Sequence, residues 1–235
     1  MSLDNSIRKR VQTVSLEDNE LSIMRNLFEE MHNESVSENQ RNIFRIFKRC
    51  MDIVGSIILL ILSGWIFPII ALLIKADSKG PIFFKQTRTG LNGADFNCFK
   101  FRTMKVNDEA DRVQAKEGDT RITRIGNFLR NTHLDELPQF VNILIGDMSF
   151  VGPRPHMIYH TDLFSEMIPF YHLRHKTRPG LTGMAQVKGF VGEIQAERDI
   201  RKRVQWDIYY LNNQSVGMDL NIMLHTMKEF FQRLF

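Results

Sequence analysis

The stretch Ile53-Val54-Gly55-Ser56-Ile57-Ile58-Leu59-Leu60-Ile61-Leu62-Ser63-Gly64-Trp65-Ile66-Phe67-Pro68-Ile69-Ile70-Ala71-Leu72-Leu73-Ile74 carries no charge over 22 residues, and its reading decides the fold. As a helix rising about 1.5 Å per residue it is about 33 Å long, close to the hydrocarbon thickness of a bilayer. The run therefore predicts a membrane-associated protein. It is longer than a buried helix of a soluble domain needs, and it begins after 52 residues, unlike a cleaved leader. Arg41, Arg45, Lys48 and Arg49 precede it, and Lys75, Lys79, Lys85 and Arg88 follow. A spanning helix keeps its basic excess on the cytoplasmic side, yet here neither flank is the less basic. Two topologies stay open on flank charge, a kinked transmembrane helix and a re-entrant hairpin with both ends on one side. Pro68 marks the expected break, because a prolyl ring removes a helical hydrogen bond and clashes with the preceding turn. Ser63 and Gly64 loosen the same turn.

The 235 residues allow one globular domain beside the membrane element. The chain divides into a polar N-terminal extension over 1–40, a juxtamembrane segment and membrane helix over 41–78, and a catalytic domain over 79–235. A formal charge of +4 suits an anionic membrane surface or a phosphorylated substrate as well as nucleic acid. No aromatic-basic platform or nucleic-acid motif accompanies it, so no nucleic-acid partner is expected. Cys50 and Cys98 are too few for a disulfide framework or a zinc site, which points to a reducing compartment.

Periodicity fills in the rest. An amphipathic helix is expected with Ser15 as cap, Asp18 three residues on, and Leu21, Met24, Leu27, Phe28 and Met31 on one face. Asn42 to Asp52 reads as a helix entering the bilayer with its charges at the headgroups. Strands are expected over Ile82–Gln86 and Asp95–Phe101, joined through Gly90 and the Asn92-Gly93 turn. Ile122–Arg130 reads as a helix. Leu137, Phe140, Val141 and Leu144 mark the buried face of another, stopped by Gly146. Met157–His175 and Asp219–Phe235 are compatible with helices lying on a membrane, or with helices facing the core. The fold class is α+β, mainly helical, with a small β-hairpin.

The strongest candidate for chemistry is Leu134-Asp135-Glu136-Leu137-Pro138-Gln139. Pro138 suits a first helical turn, which places both acids where the helix dipole favours carboxylates and attracts phosphate. Asp135 can then be a nucleophile, a metal ligand or simply a helix cap. In Gly152-Pro153-Arg154-Pro155 the prolines restrict the backbone around one guanidinium, whose fork can make two charge-assisted bonds to phosphate. Arg178-Pro179-Gly180 is a similar unit, and Lys100 and Arg102 stand at a strand end. Three basic units with an acidic pair describe an anionic substrate and a divalent metal. Walker, Rossmann, nucleophile-elbow and zinc-protease motifs are missing. His156 and His160 have helical metal spacing without a third ligand nearby.

Taken together, Lys48-Arg49-Cys50-Met51-Asp52, Phe99-Lys100-Phe101-Arg102-Thr103-Met104, Leu134 to Gln139, Gly146 to Pro155 and Arg178 to Val187 occur in the order of a known family. From about Ile46 to Phe231 the chain resembles the bacterial sugar transferases, the monotopic phosphoglycosyl transferases, in their minimal catalytic form. The resemblance implies transfer of a sugar-1-phosphate from a UDP-sugar to undecaprenyl phosphate at the cytoplasmic face of the bacterial inner membrane, initiating polysaccharide or glycoconjugate synthesis. It also implies Mg²⁺ as cofactor and a re-entrant membrane hairpin with interfacial helices embedded in membrane lipid. Asp135 matches the nucleophile that becomes phosphoglycosylated with release of UMP. Glu136 matches the metal-binding acid beside it, and Lys100, Arg102, Arg154 and Arg178 match basic positions of the active-site blocks that meet phosphate or nucleotide. Members often place Ser before the membrane proline, whereas Phe67 precedes Pro68 here. Residues 1–45 fall outside the match, and a role for them in forming a homodimer is an expectation from their position alone. Gly189-Phe190-Val191-Gly192-Glu193, after Ala185-Gln186-Val187, looks more like relatives using glucose or galactose. A membrane-associated phosphatase or glycosidase with the same acid pair, and a scaffold acting through the first 45 residues, are the rival readings.

Overall fold

The apolar run folds as two helices. In a computed structural model that describes residues 26, 38–107, 113, 115, 118–192, 194 and 196–234, α1 (Glu38–Ser63) and α2 (Ile66–Asp77) meet at a bend of 62°. Among the described residues no single helix is long and apolar enough to cross a membrane. The break lies at Gly64-Trp65, ahead of the expected Pro68. Proline clashes with the carbonyl four residues back, which is that of Gly64, so the earlier helix must stop there and Pro68 fits the first turn of α2, where its missing N–H costs nothing. The Ser63 hydroxyl donates to the Leu59 carbonyl at 2.5 Å, so a hydroxyl does serve the break, from its N-terminal side. Phe67 is turned into the domain, edge-on to Phe101 with centroids 5.0 Å apart. The helix expected around Leu21 to Met31 and the extension 1–40 lie almost wholly outside the described residues.

The basic approach to the run is not spent on headgroups. Lys48 pairs with Asp219 at 2.6 Å, and Arg49 donates to the Ile143 and Leu144 carbonyls at 2.6 and 2.7 Å. Asp52 accepts from the Ser149 hydroxyl and the Phe150 amide, both at 3.0 Å. These side chains bolt α1 onto the domain, because a lysine or arginine beside an acid or the free carbonyls of a helix end gains more than it does in solvent. Of Arg45, Lys48 and Arg49, Arg45 alone is exposed.

The hairpin forms as expected, with β1 (Phe83–Thr89) antiparallel to β2 (Asp95–Phe101), Phe83 opposite Phe101 and Thr89 opposite Asp95. Asn92 and Gly93 take positive φ in the connection. Thr123 caps α3 (Arg124–Asn131) through the Gly126 amide, and the Asp77 carboxylate accepts from the Ile125 amide at 2.9 Å, tying the end of α2 to the start of α3. In α4 (Gln139–Ile145) the buried set is Gln139, Phe140, Asn142 and Ile143, whereas Val141 and Leu144 are half-buried, and Gly146 closes the helix at φ 100°. The short strands β3 (Ser149–Val151) and β4 (Gly180–Thr182) pair in parallel.

The 157–175 segment divides into α5 (Ile158–Met167) and a 3₁₀ turn (Tyr171–Lys176), with Phe170 at φ 61° between them. Phe164, Ile168, Tyr171 and Leu173 form one core cluster with Ile200, Val204 and Ile208, so this segment faces the core. The latter three come from α7 (Glu197–Asn212), which follows the one-turn α6 (Met184–Val187). The last helix, α8 (Val216–Leu234), buries Asp219 and Ile222 but leaves Leu220, Leu224 and Met227 exposed.

Candidate active site

Asp135 and Glu136 sit in a 3₁₀ turn (Leu134–Glu136) that enters α4, with His133 at φ 54° turning the chain ahead of them. Asn142 of α4 clamps the opposite strand, accepting from the Phe99 amide at 2.9 Å and donating to the Asn97 carbonyl at 2.7 Å. That clamp fixes β2 so that Lys100 Nζ meets Glu136 Oε1 at 2.6 Å and stands 4.0 Å from Asp135 Oδ2. Arg154 Nη2 meets the same Glu136 oxygen at 2.7 Å.

The Arg154 segment is held by more than its prolines. Arg88 donates to the Pro155 carbonyl and Arg174 to the Arg154 carbonyl, each at 2.8 Å. Arg174 is in turn locked to Asp207 at 2.7 Å, with both side chains nearly out of solvent. Sequence reasoning named Arg88 only as a cation flanking the apolar run and did not single out Arg174 or Asp207, because each acts through backbone or through a residue distant in the chain. Arg130, likewise missed, donates to the Thr103 hydroxyl at 2.8 Å and adds positive potential near Asp135.

The two acids differ in acidity. Burial pushes the Asp135 carboxyl above its ordinary value, and Glu136 adds to this while Lys100 and Arg130 only partly oppose it. Burial acts upward on Glu136 as well, but Arg154 and Lys100 together hold it well below the usual carboxylate range. Glu136 is thus a fixed anion and Asp135 the more basic, hence more nucleophilic, carboxylate.

The remaining expected residues are placed elsewhere. Arg102 donates to the Ser78 and Lys79 carbonyls at 2.7 and 2.5 Å, closing the turn after α2 at the edge of the same cavity. Arg178 donates to the Gly146 carbonyl at 2.8 Å, away from the acids. Pro68 lies in α2. His156 contacts the Tyr171 hydroxyl at 2.7 Å and Arg174 at 2.9 Å, a satisfied core histidine.

The acids, Lys100, Arg88, Arg130 and Arg154 form the polar floor of a cavity of about 1340 Å³. Apolar residues line the same cavity, among them Ile58 and Leu62 of α1 with Met223 and Met227 of α8. Among the described residues no three acids, histidines or cysteines converge as a metal cage. Magnesium does not need one, since it takes one or two carboxylates and completes its shell with phosphate and water. Asp135 and the second oxygen of Glu136 fit that role.

The family model of the bacterial sugar transferases matches residues 43–233. The chain is 46% identical over 185 residues to a UDP-glucose:undecaprenyl-phosphate glucose-1-phosphate transferase of Escherichia coli (strain K12), covering 78% of this chain and 40% of that one. It is 45% identical over 183 residues to the protein of the same name from Klebsiella pneumoniae, covering 77% and 39%. The exopolysaccharide production protein PSS of Rhizobium leguminosarum bv. phaseoli is 43% identical over 187 residues, covering 77% of this chain and 94% of that protein. The chain therefore spans about two fifths of the length of the Escherichia coli and Klebsiella pneumoniae proteins. With the acid pair, its cations and the α1 residues that dock on the domain all inside the matched region, the chain belongs to the bacterial sugar transferase family.

Proposed function

We propose that this chain transfers a sugar-1-phosphate from a UDP-sugar to undecaprenyl phosphate. The observation that carries the reading is the pairing of a buried Asp135, its pKa raised, with a cation-clamped Glu136 in a cavity that apolar side chains of α1 and α8 also line. Such a cavity suits both a charged diphosphate and an isoprenoid chain. Relatives named as glucose-1-phosphate transferases support glucose as the sugar.

In the first step an oxygen of Asp135 attacks the β-phosphorus of the donor. The bond from that phosphorus to the bridging oxygen breaks, and UMP leaves with the electron pair. The sugar phosphate is then an acyl phosphate on Asp135. A phosphate oxygen of undecaprenyl phosphate attacks the same phosphorus, the bond to Asp135 breaks, and the carboxylate is restored as undecaprenyl-diphosphate-sugar departs. Arg154 and Lys100 stabilise charge on the transferring phosphoryl group and keep Glu136 ionised. Asp135 and Glu136 would hold a magnesium ion, which would supply charge neutralisation at the phosphate oxygens.

A re-entrant α1–α2 pair embedded in one leaflet accompanies this reading, with the domain on the cytoplasmic face of the inner membrane. The bend and the exposed Ile57, Ile58, Ile61, Leu62, Trp65 and Leu72 support it. It lets a cytosolic donor and a headgroup phosphate meet on one floor.

Intact-protein mass spectrometry tests the chemistry. Purified protein mixed with Mg²⁺ and UDP-glucose, without lipid, gains the mass of a hexose phosphate that undecaprenyl phosphate discharges, and Asp135→Asn gains nothing. Lipid-dependent UMP release with no adduct in the wild type overturns the covalent step.

A further inference from the structure

Beyond the phosphate floor the cavity continues to a second polar region. Gln186 of α6 and Arg203 of α7 line it together with Gly192 and Ile194. Arg203 Nη2 donates to the Gly192 carbonyl at 2.9 Å, which fixes the fork. The Gln186 amide nitrogen is directed to the Leu181 carbonyl at 3.4 Å. Two atoms are left over, because Gln186 Oε1 and Arg203 Nε are buried and find no hydrogen-bond partner among the described residues. Burying an acceptor and a donor unsatisfied is costly, and buried polar atoms without partners are rare in folded proteins unless a ligand or water completes them.

The region adjoins the catalytic floor. After burial, the largest influences on Arg203 are the charges of Arg154 and Arg174, which lower its pKa from the ordinary value. Arg154 and Lys100 line one cavity with Gln186 and Arg203, so a ligand whose phosphates rest on the first pair has room for its uncharged end at the second. The leftover acceptor asks for an N–H or O–H and the leftover donor for an oxygen. A uracil edge and a pair of sugar hydroxyls both meet that description; a further phosphate does not, since it offers the Gln186 oxygen no proton.

Resting on the transferase reading above, we propose that Gln186 and Arg203 form a recognition subsite for the uncharged end of the nucleotide-sugar donor. The subsite sets donor affinity and selectivity and takes no part in the phosphoryl step.

The test compares Gln186→Leu and Arg203→Gln with wild type and with Arg198→Gln, which changes a solvent-facing charge on the same helix. Three quantities are read in the full-length chain: KM and kcat for UDP-glucose with undecaprenyl phosphate, and the binding of UMP by titration calorimetry. Each subsite variant is expected to raise KM about tenfold, the effect of one lost hydrogen bond, with kcat within about twofold and Arg198→Gln unchanged. Parallel weakening of UMP binding assigns the subsite to uracil, and unchanged UMP binding with a raised KM assigns it to the sugar. KM and UMP affinity both within about twofold of wild type overturn the proposal while the transferase reading stands. A wild-type protein that neither binds UMP nor turns over overturns both. Gln186→Glu supplies a second variant if Gln186→Leu fails to fold, since it keeps the acceptor, removes the amide donor and is expected to bind better than Gln186→Leu.

Discussion

Arg154 Nη2 lies 2.7 Å from Glu136 Oε1, and this one contact separates two neighbouring carboxyls chemically. With Lys100 sharing the same oxygen, Glu136 is held ionised, while Asp135, one residue away, meets its closest cation only at 4.0 Å. Burial acts upward on both carboxyls, and only Glu136 has cations close enough to reverse it. The pair of cations gives one a structural charge and leaves the other reactive.

Asp135→Asn is expected to abolish transfer and yet to stabilise the protein at neutral pH. The folded state raises the Asp135 pKa, so it binds that proton more tightly than the unfolded chain does. Ionisation above the ordinary value of 3.8 therefore costs stability, and the cost disappears once both states are protonated below it. Activity should fall by at least about a thousandfold. Thermal midpoints measured from about pH 8 downward should show the variant above wild type, the gap closing toward the acid end. A less stable variant at neutral pH contradicts this account of Asp135.

Glu136→Gln should do the opposite to stability. Its folded pKa is depressed, so the carboxylate contributes stability above the ordinary value of 4.5 that is lost as pH falls through the lower folded pKa. Removing the charge leaves the largely buried Lys100 and the more exposed Arg154 against a neutral amide, at a cost of about 1–2 kcal/mol once solvent screening at Arg154 is allowed for. Chemical denaturation at neutral pH measures the loss. Below pH 4.5 the variant should also show a flatter pH dependence than wild type.

How far the sequence discloses this arrangement depends on the range of the contacts. The hairpin, α3, α4 and the acid turn follow from local signals, namely alternation over Asp95–Phe101, the Thr123 cap, and Pro138 with Gly146 bracketing a short apolar helix. The helix α7 was legible too, since Ile200, Val204 and Ile208 recur every four residues, but its dense charge concealed them. Arg174 and Asp207 are 33 positions apart, and no periodicity relates them. Lys48 and Arg49 misled for the complementary reason: flanking an apolar run, a cation bound for headgroups and one bound for Asp219 or a helix end look alike until the chain is folded. Gly152 tells a similar story. A Cβ there would stand 2.3 Å from the Arg178 carbonyl, a close approach of two backbones that only the tertiary structure reveals.

Asp207→Ala should be among the most damaging substitutions far from the acids. It strips the partner from Arg174, which is 2% exposed, and an uncompensated buried charge costs about 3–5 kcal/mol. Because Arg174 also holds the Arg154 carbonyl, kcat should drop along with stability. Asp207→Asn keeps an acceptor for the guanidinium and should recover part of kcat at a temperature where both variants remain folded. Equal kcat for the two, both at the wild-type level, would detach Arg154 placement from this pair.

Asp52→Ala tests whether α1 is anchored by specific contacts. The substitution leaves the buried Ser149 hydroxyl and the Phe150 amide without their acceptor, at about 2 kcal/mol together. Since β3 leads into the Arg154 segment, activity in detergent should fall with the loss of stability, and unchanged denaturation midpoints would show that α1 is held by apolar contact alone.

The re-entrant course of α1 and α2 predicts that both ends of the pair face the same compartment. Arg45 and Lys79 have exposed side chains on either side of the bend and are suited to single-cysteine labelling. Cys98 is fully buried and can stay, whereas the exposed Cys50 is replaced by serine. A membrane-impermeant maleimide should label Arg45→Cys and Lys79→Cys equally in inside-out vesicles and neither in right-side-out ones. Labelling from opposite sides would mean that the pair spans the bilayer. The 62° bend would then be a kink within a span, and the polar floor would have to reach donor and acceptor by another geometry. Gly64→Ala combined with Pro68→Ala removes both the ring clash and the glycine at the break, which favours one continuous helix across Gly64-Trp65. That double variant should shift Lys79→Cys toward labelling in right-side-out vesicles while Arg45→Cys keeps its side, because a straightened pair has the length to cross.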